Sequence, residues 1–359
     1  MHPHGHGGDI LTAAELAGLP PDGILDFSAN INPLGPPPGL FDYLVEKLPE
    51  ITRYPDPACR RLCAAIREHY RPRTDFIPGN GAGELIYLLL RTVAPTSVLI
   101  SVPTFTLYEK AALAAGCRVF HYQTVNESGF QLDVASFCAE VRRQRPGLVI
   151  LCNPNNPTGT LLNREEILAI AKEVAAGNGL LLVDEAFLEF NPGYDRQTLL
   201  SAPAPENILV LCSLTKMFAI PGLRLGFLAG PGPMLEKLRA LRDPWSVNSL
   251  AQLAGEFVLA DPLFPHKTAE KMEKLAGRLV AGLRRLTKLE VYPPAANYIL
   301  LQSQEKPAVL VQQELLTEGI LVRGCENWHG LDSRHFRVAV RTEEENKALL
   351  AALHKVIAG

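Results

Sequence analysis

The chain has no excess of positive charge. Its 35 lysines and arginines face 38 acidic residues, for a formal net charge of -3 at neutral pH. With no basic surplus to neutralise phosphates along a duplex, nucleic acid is not expected as the main partner; anion recognition must come from a few placed arginines. Cysteine supplies no framework either. The seven cysteines (Cys59, Cys63, Cys117, Cys138, Cys152, Cys212 and Cys325) contain no C-x-x-C pair. Cys59 and Cys63 stand one helical turn apart, but no second pair completes a zinc site. They read as reduced thiols, many of them in the core. No apolar run is long enough to span a membrane, and the polar, His-rich residues 1–9 have no apolar signal core. His2, His4 and His6 alternate there, but an exposed start is read as solvated, and no metal site is expected. Repeats and low-complexity tracts are missing too. Together these absences point to a soluble, cytoplasmic protein without a membrane partner.

What is present is a chain of 359 residues that is 47% hydrophobic, ample for a large core in two lobes. Residues 31–39 (INPLGPPPG) form an extended connector, preceded by a short helical pattern at 10–19 and an apolar piece at 24–27. From Cys59 the chain alternates helices with short apolar strands. Strands are predicted at 98–102, 118–122, 148–152, 180–184, 208–212 and 224–229, and helices at 83–93, 105–115, 134–143 and 164–177. That alternation predicts a largely parallel sheet covered on both faces, with chemistry collected at the carboxyl ends of its strands. Beyond Trp245, itself expected in the core at a lobe junction, the pattern changes. Residues 267–289 read as a long amphipathic helix with Met272, Leu275, Leu279, Leu283 and Leu286 on one stripe. Val291 and residues 298–301, 320–322 and 336–340 read as strands of a smaller α+β lobe, against which the N-terminal segment packs. The fold class is therefore α/β, with a large α/β/α lobe over residues 45–245 and a small lobe from 1–44 and 246–359.

Four segments carry chemistry, each just past a predicted strand end or opening a helix. Gly79-Asn80-Gly81-Ala82-Gly83 precedes an apolar helix, whose free N–H groups suit an anion. Asn153-Pro154-Asn155-Asn156-Pro157-Thr158-Gly159 is a loop stiffened by prolines, able to hold an asparagine rigidly against a planar ligand. Asp184 ends the apolar run Leu180-Leu181-Leu182-Val183, where a carboxylate is costly unless paired; a protonated pyridine nitrogen is a suitable partner. Glu185 beside it faces the opposite way and forms no acid–base pair with it. In Ser213-Leu214-Thr215-Lys216, followed by Arg224, an amine in an apolar stretch has a depressed pKa and can condense with an aldehyde, while Ser213 and Arg224 can hold a phosphate. In Phe336-Arg337-Val338-Ala339-Val340-Arg341, strand alternation puts Arg337, Ala339 and Arg341 on one face. No glycine-rich loop follows the first strand, so a dinucleotide-binding domain does not fit.

In order and spacing these segments resemble fold-type I pyridoxal-5'-phosphate (PLP) enzymes of the aminotransferase class I/II superfamily, over essentially the whole chain. The resemblance implies PLP as cofactor, with Lys216 as its Schiff-base lysine, Asp184 at the pyridinium nitrogen and Asn156 at the 3-hydroxyl oxygen. It implies Phe105 stacked on the ring, and Ala82, Gly83, Ser213 and Arg224 around the phosphate. Tyr54 would reach the phosphate of the neighbouring subunit's cofactor, so a homodimer with shared sites is implied. Phe187 stands where many relatives have tyrosine, so Asn156 would meet the 3-hydroxyl oxygen alone. Narrower features, His6-Gly7-Gly8-Asp9 and residues 25–35 (LDFSANINPLG) together with 244–248 and 330–334, resemble the threonine-phosphate decarboxylase branch of cobalamin biosynthesis. That branch implies a phosphorylated amino acid as substrate, gripped by His6, Gly7, Asn30, Asn156, Arg323 and Arg337. Histidinol-phosphate aminotransferases share the cofactor motifs and are the alternative; they usually lack the HGG start and tend to have glycine where this chain has Arg341.

Overall fold

Runs such as Leu-Val-Ile-Leu-Cys and Leu-Leu-Leu-Val-Asp lack polar alternation, so a sheet built from them must be covered on both faces. The computed structural model, which describes residues 7–203 and 205–358, shows how. In chain order the strands are β1 (Leu25–Asp26), β2 (Asp75–Gly79), β3 (Ser97–Val102), β4 (Arg118–Gln123), β5 (Leu148–Cys152), β6 (Leu180–Asp184), β7 (Ile208–Ser213), β8 (Gly226–Gly230), β9 (Leu289–Val291), β10 (Tyr298–Ser303), β11 (Ile320–Leu321), β12 (Arg323–Gly324) and β13 (His335–Ala339). Seven of them form the large sheet in the order β2-β8-β7-β6-β5-β3-β4. The pairs from β7 through β4 are parallel, and β8 runs antiparallel to both its neighbours.

Residue parity along the strands divides the core. Leu181 and Val183 pack with Ile167, Ile170 and Val174 on one side of the sheet. Leu182 packs with Leu85, Leu89 and Tyr108 on the other. The same parity sends Asp184 toward the Tyr108 side and Glu185 toward the opposite one, where its carboxylate accepts from Thr198 Oγ1 (2.7 Å) and the Leu199 N–H (2.8 Å). The separation of the two acids expected from strand geometry therefore holds.

The reversed strand matters for the site. Because β8 is antiparallel, its beginning lies beside the end of β7: Gly226 pairs with Ser213 and with Gly79. Arg224, two residues before Gly226 and at φ 59°, is outside the strand that the sequence started at residue 224. The sequence also gave no sign of β2. Its Pro78 argues against a central strand, and β2 sits at the sheet edge, where a missing N–H is tolerated.

The second lobe has an antiparallel sheet of order β12-β13-β10-β9. β1 pairs in parallel with β11, Leu25 opposite Ile320, in a separate two-stranded sheet that joins the N-terminal segment to the C-terminal part of the chain. The long helix is Phe264–Leu283, shorter than its apolar stripe suggests. Leu289 begins β9 and pairs opposite Ser303, and sheet pairing overrides a leucine spacing that serves either structure. Among the described residues no helix is long and apolar enough to cross a membrane.

Leu182 is 1% exposed at the centre of the large sheet. Leu182→Ala is expected to cost about 2–5 kcal/mol of stability, read as a lower midpoint in chemical denaturation. A loss below about 1 kcal/mol would contradict this packing.

Candidate active site

The ends of β5, β6 and β7, the beginning of β8, and the connector before residue 35 enclose a cavity of about 560 Å³. Asp184 stands in its wall and is 5% exposed. Its Oδ2 accepts the Tyr108 hydroxyl at 2.7 Å, and its Oδ1 accepts the Ala186 N–H at 2.9 Å. Burial pushes the carboxyl pKa up, and the Tyr108 and Ala186 bonds, with Lys216 beyond them, pull it back. Lys216 lines the same cavity and donates to Thr215 Oγ1 at 2.9 Å. Burial, with Arg224 nearby, pushes its amine down to about 8 against the pull of Asp184. Both groups line the same cavity.

An anion corner is built where the helix Gly81–Val93 starts. Gly81 has φ +78°, and a Cβ there would lie 2.6 Å from Arg224 Nη2, so only glycine lets the guanidinium lie against the helix start. Gly226 plays the matching part: its Cβ would lie 3.0 Å from the Ala82 nitrogen. Ala82, Gly83, Ser213, Thr215 and Arg224 all line the cavity here. The Ser213 and Thr215 hydroxyls are bonded to each other at 2.7 Å.

Each asparagine of the proline-stiffened loop has a separate task. Asn153 bonds both the N–H (2.8 Å) and the carbonyl (3.0 Å) of Leu162. Asn155 takes the Thr104 hydroxyl at 2.7 Å and donates to the Pro103 carbonyl at 2.8 Å, which anchors the segment leading to Phe105. Asn156 alone lines the cavity. Its Oδ1 accepts from Arg337 Nη1, which leaves its Nδ2 as the donor. Arg337 also donates to the Ser28 carbonyl at 2.6 Å, and burial pushes its pKa down to about 10.

The N-terminal connector closes the other side. Asn32 Nδ2 donates to the Met217 carbonyl at 2.8 Å, and the Asn32 N–H to the Lys216 carbonyl at 3.1 Å, so it is fastened to the lysine loop. Gly7, Gly8, Ser28 and Asn30 line the cavity. A Cβ on Gly7 would lie 2.3 Å from the Ser28 carbonyl oxygen, so only glycine allows that approach. Among the described residues, buried Asn30 Oδ1 and Arg337 Nε have no hydrogen-bond partner.

The cavity thus brings together Lys216, Asp184, Ala82, Gly83, Phe105, Asn156, Ser213, Arg224, Gly7, Asn30 and Arg337, with Phe187 in its wall. Tyr54 is not among its lining residues; it is 81% exposed, and its ring packs against Trp245 at 4.7 Å and a tilt of 32°. That corrects the expectation of a core Trp245, which is 47% exposed. Arg323 does not line the cavity either. It lies opposite Arg337 across β12 and β13, with its guanidinium 4.5 Å from the Trp328 ring centre and a bond to Asn327 Oδ1 at 2.9 Å. His6 falls outside the described residues. Sequence reasoning missed Tyr108 and Thr215. Thr215 adjoins the lysine and was within reach, whereas Tyr108 sits in an ordinary amphipathic helix.

Residues 22–353 match the model of the family described as aminotransferase class I and II. The chain belongs to the aminotransferase class I and II family. The threonine-phosphate decarboxylase of Salmonella typhimurium is 40% identical over 99% of this chain and 97% of its own length. Two crystal structures are similar throughout. L-threonine-O-3-phosphate decarboxylase from Porphyromonas gingivalis has a TM-score of 0.82 at 26% identity, covering 93% of this chain and 99% of that one. Histidinol-phosphate aminotransferase from Clostridium acetobutylicum has a TM-score of 0.86 at 29% identity, with the same coverage. Proteins of this family depend on PLP, and the cavity fits that group: a buried acid, a buried amine and an anion corner are set around a space with orphaned polar atoms.

Lys216 is expected to react unusually early in a pH titration. Its neutral form gains as pH rises through about 8. In apoenzyme, amine-directed labelling should show one lysine with that apparent pKa, absent in Lys216→Ala. A profile with only ordinary lysines, near 10.4, would contradict the burial described.

Proposed function

We propose that this chain decarboxylates O-phospho-L-threonine to (R)-1-amino-2-propanol O-2-phosphate and CO2 with PLP as cofactor, the product serving cobalamin biosynthesis. The observation that carries this reading is the glycine-permitted entry of Gly7 and Gly8 into a cavity already holding Lys216, Asp184 and Arg337. It joins the N-terminal signature to the catalytic groups. The 40% identity to a threonine-phosphate decarboxylase over nearly the whole length supports it.

Lys216 would carry the cofactor, and Asp184 would hold the proton on its ring nitrogen. Asn156 Nδ2 would donate to the ring oxygen, Phe105 would stack, and Ala82, Gly83, Ser213 and Arg224 would bind the phosphate. When bound, PLP supplies an electron sink for the pair released at Cα. The chain's own residues decide which Cα bond is set perpendicular to the ring and so breaks. For that, Arg337, Asn30 and Gly7, together with His6, would grip the two anionic ends of the substrate and fix its rotation about Cα, with Arg323 adding positive charge from behind the cavity wall. Lys216 Nζ, freed when the substrate amine takes its place on the cofactor, would deliver a proton to Cα once CO2 has departed. Tyr54 and Trp245 form an exposed aromatic pair, which suits the proposed homodimer in which Tyr54 completes the neighbouring phosphate site. The same reading places the enzyme in the cytoplasm.

Histidinol-phosphate aminotransferase is the second reading, favoured by the slightly higher TM-score of 0.86. The two separate in one assay. Purified holoenzyme should release CO2 from O-phospho-L-threonine and transfer no comparable amount of amino groups from histidinol phosphate. Transfer from histidinol phosphate without CO2 release would overturn the proposal. Arg337→Lys keeps the charge but loses the forked donor, and should lower kcat/KM about 100-fold or more. Tyr108→Phe removes one bond to a charged carboxylate, worth about 1.5–3 kcal/mol, and should weaken cofactor retention about tenfold or more in equilibrium dialysis.

A further inference from the structure

Glu109, His121 and His329 converge away from the cavity and line no part of it. Glu109 lies on the helix Leu107–Ala114, His121 on the edge strand β4, and His329 in the connection from β12 to β13. The three side chains therefore come from both lobes. Glu109 Oε1 is 3.2 Å from His121 Nε2, and Glu109 Oε2 is 3.1 Å from His329 Nε2. All three donor atoms lie within 4.8 Å of one another. A tetrahedral zinc ion with bonds of about 2.0–2.1 Å holds its ligands about 3.3 Å apart. The two carboxylate–imidazole spacings, each to its own Glu109 oxygen, already stand near that value.

An ion pair alone explains this arrangement less well. The imidazole rings are 4.7 Å apart at 35°, and two imidazolium charges at that distance repel across one shared carboxylate. A metal ion instead takes a lone pair from each neutral ring while the carboxylate balances its charge. Two imidazoles and one carboxylate select zinc and its transition-metal neighbours over magnesium or calcium, which prefer all-oxygen shells.

The place in the fold indicates what such an ion does. The connection bearing His329 is pressed on β4: a Cβ on Gly330, at φ +86°, would lie 2.2 Å from Gln123 Nε2. One residue before His329, the Trp328 ring lies 4.5 Å from the Arg323 guanidinium and 5.9 Å from that of Arg337. We propose that Glu109, His121 and His329 bind one divalent transition-metal ion, zinc foremost. It fastens the Trp328 connection of the small lobe to the edge of the large sheet. With three protein ligands, water completes the shell.

The test uses holoenzyme in which His2, His4 and His6 are replaced by alanine, so that the N-terminal histidines take up no metal. Equilibrium dialysis against zinc with metal analysis should give one ion per chain, and zinc should raise the thermal midpoint. His121→Ala, His329→Ala and Glu109→Gln should each weaken uptake at least about tenfold and reduce the zinc-dependent midpoint shift. The visible absorption of the bound cofactor reports that each variant is folded. No stoichiometric uptake by the parent, or uptake unchanged in all three folded variants, would overturn the proposal.

Discussion

A carboxylate buried at the end of an apolar strand is the constraint on which this molecule is organised. Asp184 cannot be ionised there unaided, since desolvation favours the neutral acid. The Tyr108 hydroxyl and the Ala186 N–H are its permanent supports, and each comes from a different element. Lys216 adds a weaker pull from within the cavity, and the proposed cofactor's ring nitrogen would add a cation in direct contact. That arrangement suits a flat, protonatable ring of the kind proposed above and ties the position of Tyr108, and so of its helix, to Asp184. The depressed Lys216 amine is the other half of the same design, buried in the same cavity and held by Thr215.

Much of this was legible in the chain. The centres of the parallel strands could be read because runs such as residues 148–152 and 180–184 are apolar on both faces and end at chemically unusual residues. Asp184, Lys216 and Asn156 stood out because each interrupts a pattern: an acid after leucines, an amine among apolar residues, an asparagine between prolines. Tyr108 did not stand out, because a tyrosine in an amphipathic helix satisfies the helical pattern whether or not its hydroxyl meets a carboxylate. The reversal of β8 was hidden for a related reason. A short apolar strand looks the same in either direction, and only its pairing shows that its beginning, with Arg224 just before it, faces the site. Trp245 failed as a core residue because exposure depends on what lies across from it, which composition does not record.

The two lobes contribute in different ways. The large sheet supplies a rigid rim of strand ends, where each group is fixed by backbone pairing and two-sided packing. The small lobe and the N-terminal connector supply the adjustable wall. Arg337 is held by strand pairing in β13, and hydrogen bonds through Ser28 join it to Gly8, while Asn32 fastens the connector to the lysine loop. The orphaned Arg337 Nε and Asn30 Oδ1 lie in this second wall, on the side where substrate anions would be gripped.

The central claim is that a single amine in this cavity carries the cofactor. Borohydride reduction of holoenzyme followed by peptide mapping tests it most directly. The account predicts one phosphopyridoxyl label, on Lys216 and stoichiometric with the chain. A label on any other lysine, or none at all, would contradict it.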